Sequence, residues 1–341
     1  MERILIDDPS EIIIRRGWAG DELLPVRPDR EKVAIFTQPG AAHIAAAVLA
    51  GISDVETHQM TLPDRDAAKT LAVVQTAYEW LAETGIGRHD TIVGVGGGAA
   101  TDVTGFVAAT YLRGVELVQV PTTLLGAVDA AIGGKTGVNL GGKNLVGAFY
   151  HPRRIIIDLE IAESLPTDLK REGLAEALKA GLVADPELFS HIEQTGLAAD
   201  LEVVVPRAVA VKINVVKQDF RETGIRAILN YGHTIGHAVE IITGLPHGHA
   251  IALGMAAAGR IGEDLLGFDS ADRQRNAMIR LGLPVWIEGP DRRALLDVLV
   301  RDKKRDASGI RMVLLRSIGD PMVVSVPMEA IHTGLAGIGI G

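Results

Sequence analysis

A run of glycines set between a buried-strand pattern and a helical pattern limits what this chain can become more than any other feature. Residues 90–144 read DTIVGVGGGAATDVTGFVAATYLRGVELVQVPTTLLGAVDAAIGGKTGVNLGGKN. The apolar segment 91–95 runs straight into Gly96-Gly97-Gly98, and an Ala-rich helical pattern follows over 99–110. Strand, glycine turn and helix start bring free backbone N–H groups close to a phosphate. Glycine lets the backbone approach because it has no Cβ in the way. A second strand pattern, 116–120, ends at Pro121-Thr122-Thr123. Asp129, Gly133-Gly134-Lys135 and Gly141-Gly142-Lys143-Asn144 follow.

Taken alone, the glycine triplet is a weak signal. Gly94, Gly96 and Ala99 fit the dinucleotide fingerprint in form, with Glu116 near the spacing of a ribose-binding acid. That fingerprint belongs to the first strand of its domain, and this strand is not the first. A tight turn between strand and helix is the plain alternative. Asp102, Lys135 and Lys143 weigh against it, because a fold needs no such charges beside buried glycine turns.

A chain of 341 residues can hold two domains and a sizeable core, and 47% apolar residues make it globular. The net charge of −9 and the lack of a long basic run argue against nucleic acid as a partner. Local lysines can still bind an anion. The chain has no cysteine, which excludes disulfides, a thiolate nucleophile and thiolate metal ligands. The opening MERILIDDPS carries acids and no long apolar region, unlike a secretory signal. No apolar run reaches membrane-spanning length, so the expected location is the cytoplasm, with no membrane partner.

Before the glycine turn, 3–6 and 11–15 read as short strands that can form a hairpin, and 32–37 and 55–62 as further strands. Residues 41–50 and 67–84 read as helices, the second by the spacing of Leu71, Val74, Ala77, Tyr78 and Leu81. His43 in the first of these reads as a partly exposed helix residue. Alternating strands and helices imply a parallel sheet with right-handed crossovers, whose ligands sit at the carboxyl ends of the strands. Near Arg153-Arg154 the character changes. One more strand, 155–158, precedes a helical half with helices expected at 168–182, 203–219, 225–242 and 250–266, and a glycine-rich tail, 334–341, expected to fray. The domain division is placed at 1–157 and 158–341, without a flexible linker.

The helical half carries a second constellation, Asn230-Tyr231-Gly232-His233-Thr234-Ile235-Gly236-His237 and then His247-Gly248-His249. His233 and His237 lie i, i+4 on one helix face, a common arrangement for a first-row metal. Two polar histidines near a helix end are the plain alternative for that pair. Four of the ten histidines within 17 residues, with Arg226 and Asn230 close by, favour a site. Glu176 with Glu172 and Lys179 can share another helix face. A three-ligand metal with an open position polarises a hydroxyl or carbonyl.

GGGAATDVTGF, Arg113-Gly114, PTTLLGAVDAAIGGKTGVN, GKN, LPTDLKREGLAEALK, RAILNYGHTIGHAVE, PHGHA and DKK follow one another over roughly residues 94–305. In these segments the chain resembles the 3-dehydroquinate synthases of the sugar-phosphate cyclase superfamily. The resemblance implies an α/β, Rossmann-like N-terminal nucleotide-binding domain and a mostly α-helical C-terminal metal-binding domain. It implies conversion of 3-deoxy-D-arabino-heptulosonate 7-phosphate (DAHP) to 3-dehydroquinate and phosphate in the shikimate pathway. Implied cofactors are NAD and a divalent metal, zinc or cobalt. Glu176, His233 and His247 match the metal ligands. Gly97, Gly98, Asp102, Thr122, Thr123, Asp129, Lys135 and Lys143 match NAD contacts, as do Asp66 and Lys69, with Asp66 in place of a longer glutamate. Lys135, Asn144, Lys179, Lys212, Arg226, Asn230, His237 and Lys303 or Lys304 match substrate positions. Arg113 matches an arginine contributed by the neighbouring subunit, which implies a homodimer. All these residues stand in this sequence.

Three positions depart from the family pattern. His249 replaces the usual acid of HGE, which leaves open whether His247 or His249 binds metal; the place before glycine favours His247. Phe220 replaces an acid after Asp219, and Ala131 replaces a serine. Other readings are a sister cyclase of aminocyclitol or C7-cyclitol biosynthesis, a metal-dependent polyol dehydrogenase, or a catalytically silent NAD-binding regulator. Lys212, Arg226, Asn230 and Lys303-Lys304 favour a substrate carboxylate, and Lys135, Glu176 and His233 favour catalysis.

Overall fold

The strand that ends in the glycine turn is buried along its whole length, and the first half of the chain is layered around it. The computed structural model describes residues 1–7, 10–17, 22–301, 305–306 and 309–341. It splits into two compact units, Met1–Pro166 and Thr167–Gly341.

The first unit is a seven-stranded sheet with helices packed on it. Its strands are β1 (Glu2–Asp7), β2 (Ser10–Arg15), β3 (Lys32–Thr37), β4 (Glu56–Thr61), β5 (Thr91–Gly96), β6 (Glu116–Pro121) and β9 (Arg154–Asp158). The order across the sheet is β1-β2-β9-β6-β5-β3-β4. Only the β1–β2 hairpin is antiparallel; the other pairs are parallel, with Val93 opposite Ile35 on one side and Val118 on the other. Parallel strands are covered on both faces, which is why they read as unbroken apolar runs. Side chains alternate between the faces. Ala34, Phe36, Ile92 and Leu117 enter one core with helices α2 (Leu71–Glu83) and α3 (Gly98–Thr110). Val33, Ile35, Val93, Val95 and Val118 enter the other with α1 (Ala42–Ala50). Burying one such Val, Ile or Phe stabilises the fold by about 1.5–3 kcal/mol.

A small hairpin, β7 (Lys135–Val138) and β8 (Val146–Phe149), lies outside the main sheet. It gave no strand signal in the sequence, because glycines and polar residues occupy much of it. The described unit extends past residue 157 to include α4 (Leu159–Ser164). Asp158 ties that helix to the sheet: Oδ1 accepts from Glu160 N at 2.9 Å, capping the helix, and from Gly17 N at 3.1 Å.

The second unit is mostly helical. Its helices are α5 (Thr167–Ala184), α6 (Pro186–Thr195), α7 (Leu201–Gln218), α8 (His233–Thr243), α9 (His247–Leu266), α10 (Ala271–Arg280), α11 (Arg292–Arg301) and α12 (Met328–Ala336). A three-stranded antiparallel sheet, β10 (Arg305–Asp306), β11 (Gly309–Ser317) and β12 (Asp320–Val326), is also present. Two sequence expectations are corrected here. The helix expected over 225–242 is broken: Ile225–Asn230 forms a 3-10 turn, and α8 starts after Gly232, which sits at φ +78°. Left-handed backbone of that kind suits glycine. A Cβ there would also meet Met255 Cγ at 2.5 Å. The tail does not fray. Ile338 and Ile340 are buried, and Ile338 O accepts from Ile287 N at 2.8 Å. Among the described residues no helix is long and apolar enough to cross a membrane.

Candidate active site: a glycine-turn cradle and a histidine–carboxylate cluster

In the first unit the glycine turn sits at the carboxyl end of β5. Gly97 is the N-cap of α3, no side chain caps that terminus, and its first turn carries no acid. The orphan N–H groups of an uncapped helix start favour an anion. Neighbouring strand ends close on the turn. Thr122 N donates to Gly96 O at 2.9 Å; a Cβ on Gly97 would meet Thr123 Cγ2 at 3.1 Å, and one on Gly98 would meet Ala130 Cβ at 3.2 Å. Asp129 lies in a single π-turn, Gly126–Ala130. Buried Lys69 pairs with Asp102 at 2.5 Å, and Lys143 lies 3.8 Å from Asp66. Asn144, at φ +55°, donates its N–H to Asn139 Oδ1 at 2.9 Å, and Asn139 N donates to Lys69 O at 2.9 Å. The structure thus groups Asp66, Lys69, Asp102 and Lys143 around the hairpin, and Gly97, Gly98, Thr122, Thr123 and Asp129 around the turn. Lys135 opens β7, exposed.

Arg113 stands apart from these groups, exposed in a turn where Leu112, Arg113 and Gly114 have φ of +49°, +67° and +123°. Among the described residues it has no ion-pair partner.

In the second unit α5, α8 and α9 meet with little between their backbones. A Cβ on Gly236 of α8 would meet Ala250 O and Ile251 Cα at 3.0 Å. One on Gly248 of α9 would meet Glu172 Cα of α5 at 2.6 Å. These close approaches bring Glu176 of α5, His233 of α8 and His247 of α9 together. His233 Nε2 is 3.7 Å and His247 Nε2 3.4 Å from Glu176 Oε1. One ligand atom from each of the three residues lies within 4.8 Å of the other two. His249 joins neither donor cluster found among the described residues, and its Nδ1 is buried without a hydrogen-bond partner. The geometry therefore converges on His247.

Burial and neighbouring charges set the ionisation of the cluster. Glu176 is buried, Lys179 pairs with its Oε2, and His233 Nε2 and His247 Nε2 face its Oε1. Burial works to raise its pKa, but Lys179, His233 and His247 outweigh that and hold it well below the usual carboxylate range. Burial, and then Lys179, push His233 well below the usual imidazole value, so its ring is neutral. His233 Nδ1 lies 3.2 Å from Tyr231 O. A carbonyl only accepts, so Nδ1 carries the proton and Nε2 presents its lone pair toward Glu176. Burial lowers His247, yet Glu176 and Glu240 more than offset it and raise the ring to about 10. A buried carboxylate facing two imidazole nitrogens is a donor set that fits zinc or cobalt.

The remaining expected residues form the surroundings. Asp219 takes N–H donors from Thr223 (2.9 Å), Gly224 (2.7 Å) and Arg226 (3.0 Å). Arg226 is 2% exposed and donates to Phe220 O at 2.5 Å. Phe220 thus supplies its carbonyl. Asn230 Nδ2 donates to Glu222 Oε1 at 2.5 Å. Lys179 and Lys212 are buried, and His237 is exposed on α8 beside His233, ring centroids 5.0 Å apart. Lys303 and Lys304 lie outside the described residues. Glu222 and Glu240 were given no role in the sequence reading. The signal for Glu240 was the spacing in HTIGHAVE, which puts it i+7 from His233 on one face.

Solved sugar-phosphate cyclases share the fold. One is a 2-deoxy-scyllo-inosose synthase complexed with carbaglucose-6-phosphate, NAD+ and Co2+, at TM-score 0.88 and 27% identity, covering 97% of this chain and 98% of the other. Another is the 2-epi-5-epi-valiolone synthase of Streptomyces hygroscopicus subsp. jinggangensis with NAD+ and Zn2+ bound, at TM-score 0.86 and 28% identity, covering 96% of each chain. Sequence then narrows the class. The profile for the 3-dehydroquinate synthase N-terminal domain matches residues 59–172, and that for the C-terminal domain residues 173–305. The 3-dehydroquinate synthase of Mycolicibacterium vanbaalenii is 44% identical, with 92% of this chain and 91% of that protein covered. That of Mycobacterium leprae is 42% identical, with 94% and 92% covered. The chain belongs to the 3-dehydroquinate synthase family.

Proposed function

We propose that this protein converts DAHP to 3-dehydroquinate and phosphate, as a cytoplasmic, NAD- and divalent-metal-dependent lyase of the shikimate pathway. The observation that carries the reading is 44% identity across 92% of the chain to a protein of that name, with every donor of the Glu-His-His cluster in place. The two sister cyclases found by structure are only 27–28% identical.

Glu176, His233 and His247 would hold the cation. The uncapped α3 start, with Gly97, Gly98, Thr122 and Thr123, would meet the cofactor's phosphates, and Asp66, Lys69, Asp102, Asp129, Lys135 and Lys143 its remaining groups. The chemistry supplied by cofactor and cation when bound is the reversible oxidation of a secondary alcohol, which acidifies the neighbouring C–H. The chain's own part is binding and orientation. Arg226, fixed by its bonds to Phe220 O and Asp219, and buried Lys212 suit a substrate carboxylate. Asn230, oriented by Glu222, donates or accepts at a hydroxyl. Lys179, with burial, favours a neutral His233, and with the two histidines it favours an ionised Glu176. Lys135, Asn144, His237 and Lys303 or Lys304 complete the substrate contacts, and Arg113 reaches the phosphate in a partner subunit of a homodimer. Holding one substrate through oxidation, elimination, reduction, ring opening and aldol closure is a positioning task, which many fixed polar donors suit.

The test is phosphate release from DAHP with trace NAD and added zinc or cobalt. Turnover without NADH build-up is the expected result. Stoichiometric NADH accumulation would indicate a plain dehydrogenase, and turnover of a non-acidic sugar phosphate in place of DAHP a sister cyclase.

A further inference from the structure

We propose that Glu240 is a positioning residue for His247, holding the ring by Nδ1 so that Nε2 faces Glu176. The inference rests on reading Glu176, His233 and His247 as metal ligands. The two nitrogens of His247 face two different carboxylates. Nε2 is 3.4 Å from Glu176 Oε1, and Nδ1 is 3.6 Å from Glu240 Oε2. A neutral imidazole has one donor and one acceptor nitrogen. If Nε2 is to offer its lone pair to a cation, Nδ1 must carry the proton, and that proton needs an acceptor. Glu240, whose side chain is 12% exposed, presents one. The separation of 3.6 Å is longer than a closed hydrogen bond and places the two groups as an ion-pair contact.

His233 shows the same arrangement with a different acceptor, since its Nδ1 faces Tyr231 O at 3.2 Å. Each histidine of the cluster therefore has an oxygen behind it, one from the backbone and one from a side chain. Local structure explains how Glu240 arrives there. His233, His237 and Glu240 lie i, i+4 and i+7 on α8. The chain turns through left-handed Gly244, Leu245 and Pro246, and His247 opens α9. So short a turn sets the start of α9 against the last turn of α8, opposite Glu240. A carboxylate behind a ligating histidine fixes tautomer and ring orientation and raises the basicity of the ligating nitrogen.

A rival role exists, because ligand atoms of His237, Glu240 and His247 also lie within 4.8 Å of one another. Glu240 would then be a ligand itself. The experiment separates these. Zinc and cobalt(II) affinities of the full-length protein are measured by chelator competition, with the cobalt absorption bands recorded. Tm of the metal-free protein and NAD affinity serve as controls on the fold. Wild-type protein should bind one equivalent. Absence of stoichiometric binding would overturn the metal-site reading and the inference with it. Glu240→Ala should weaken metal binding about 10- to 100-fold and alter the cobalt bands, with metal-free Tm and NAD affinity kept. Glu240→Gln retains an oxygen that can accept the Nδ1 proton and should restore most of the affinity and the bands. Wild-type metal affinity and bands in Glu240→Ala would overturn the inference, because a packing role would leave both unmoved. Glu240→Gln as weak as Glu240→Ala would also overturn it, and would mark the carboxylate as a direct ligand.

Discussion

His233 owes its readiness to bind a cation to burial, to Lys179 and to one backbone carbonyl. The first two keep the ring neutral, and Tyr231 O selects the tautomer. His233→Ala removes a nitrogen that water replaces poorly in so buried a place. A polarising cation supplies several kcal/mol to the transition state, so at 1.36 kcal/mol per tenfold the variant should lose about a thousandfold or more in kcat. Metal content measured after dialysis should fall in parallel. Chelator should silence the wild-type enzyme, and zinc or cobalt should restore it. Full turnover in a metal-free sample would show that the cluster is not the catalytic centre. His249→Ala is the control: His249 joins neither donor cluster, so metal content and kcat should change little. Retained stoichiometric metal in His247→Ala would reverse that choice. Spacing pointed to His233 with His237, i and i+4 on one face, but the histidine that joins His233 and Glu176 is His247, at the start of α9. Glu176 was not legible as their partner from spacing alone. The three meet through the packing of α5, α8 and α9, a contact over some sixty residues of chain that only resemblance or structure supplies.

At the scale of elements, the loop after α7 shows how one side chain orders a segment proposed to bind substrate. Asp219 accepts from the N–H of Thr223, then of Gly224 and Arg226, and these bonds lower its pKa to about 2. Its unfolded value is about 3.9. The folded value is depressed, so the contribution to stability is fully present above the unfolded pKa and is lost as pH falls toward 2. The Tm difference between wild type and Asp219→Asn should thus be constant above about pH 5 and shrink between about pH 4 and 2. A difference that stays flat to pH 2 would mean that the carboxylate does not hold the loop. A second test concerns the α8–α9 contact. Ala in place of Gly236 gains about 1 kcal/mol of helix propensity, but overpacking costs about 1–3 kcal/mol. The Cβ would sit 3.0 Å from Ala250 O, so overpacking should win, lowering both Tm and metal affinity. A higher Tm with unchanged metal affinity would show that the helices part freely. The parallel strands were legible because burial on both faces leaves unbroken apolar runs such as TIVGV. The break at Tyr231-Gly232 was not, since the apolar spacing continues across it and the left-handed Gly232, where a Cβ would meet Met255, shows only in the packed structure. The tail was misread for a related reason: its glycines suggest freedom, but Ile338 and Ile340 anchor it in the core.

For the whole molecule, the role proposed for Arg113 makes the catalytic unit two chains. Leu112, Arg113 and Gly114 follow one another with positive φ, at the end of α3. Each non-glycine residue held in that region costs on the order of 1–3 kcal/mol. If Arg113 were only a solvated turn residue, Arg113→Gly should raise Tm and leave activity intact. If the arginine binds the phosphate of a substrate in the neighbouring subunit, the same variant should raise or keep Tm while turnover falls. Losing a charge-assisted hydrogen bond of this kind costs about 1.5–3 kcal/mol, or roughly ten- to a hundredfold. Arginine suits the task because its planar fork meets two phosphate oxygens at once. NAD affinity should hardly change. Mixed dimers test the assignment across the interface. Chains with Arg113→Gly are combined with chains carrying Lys212→Ala, since buried Lys212 is proposed to meet substrate in its own chain's site. In a mixed dimer one site carries both defects and the other neither, so activity should partly return on subunit exchange. Exchange demonstrated by mass-tagged chains, without any return of activity, would mean that Arg113 serves its own chain or none.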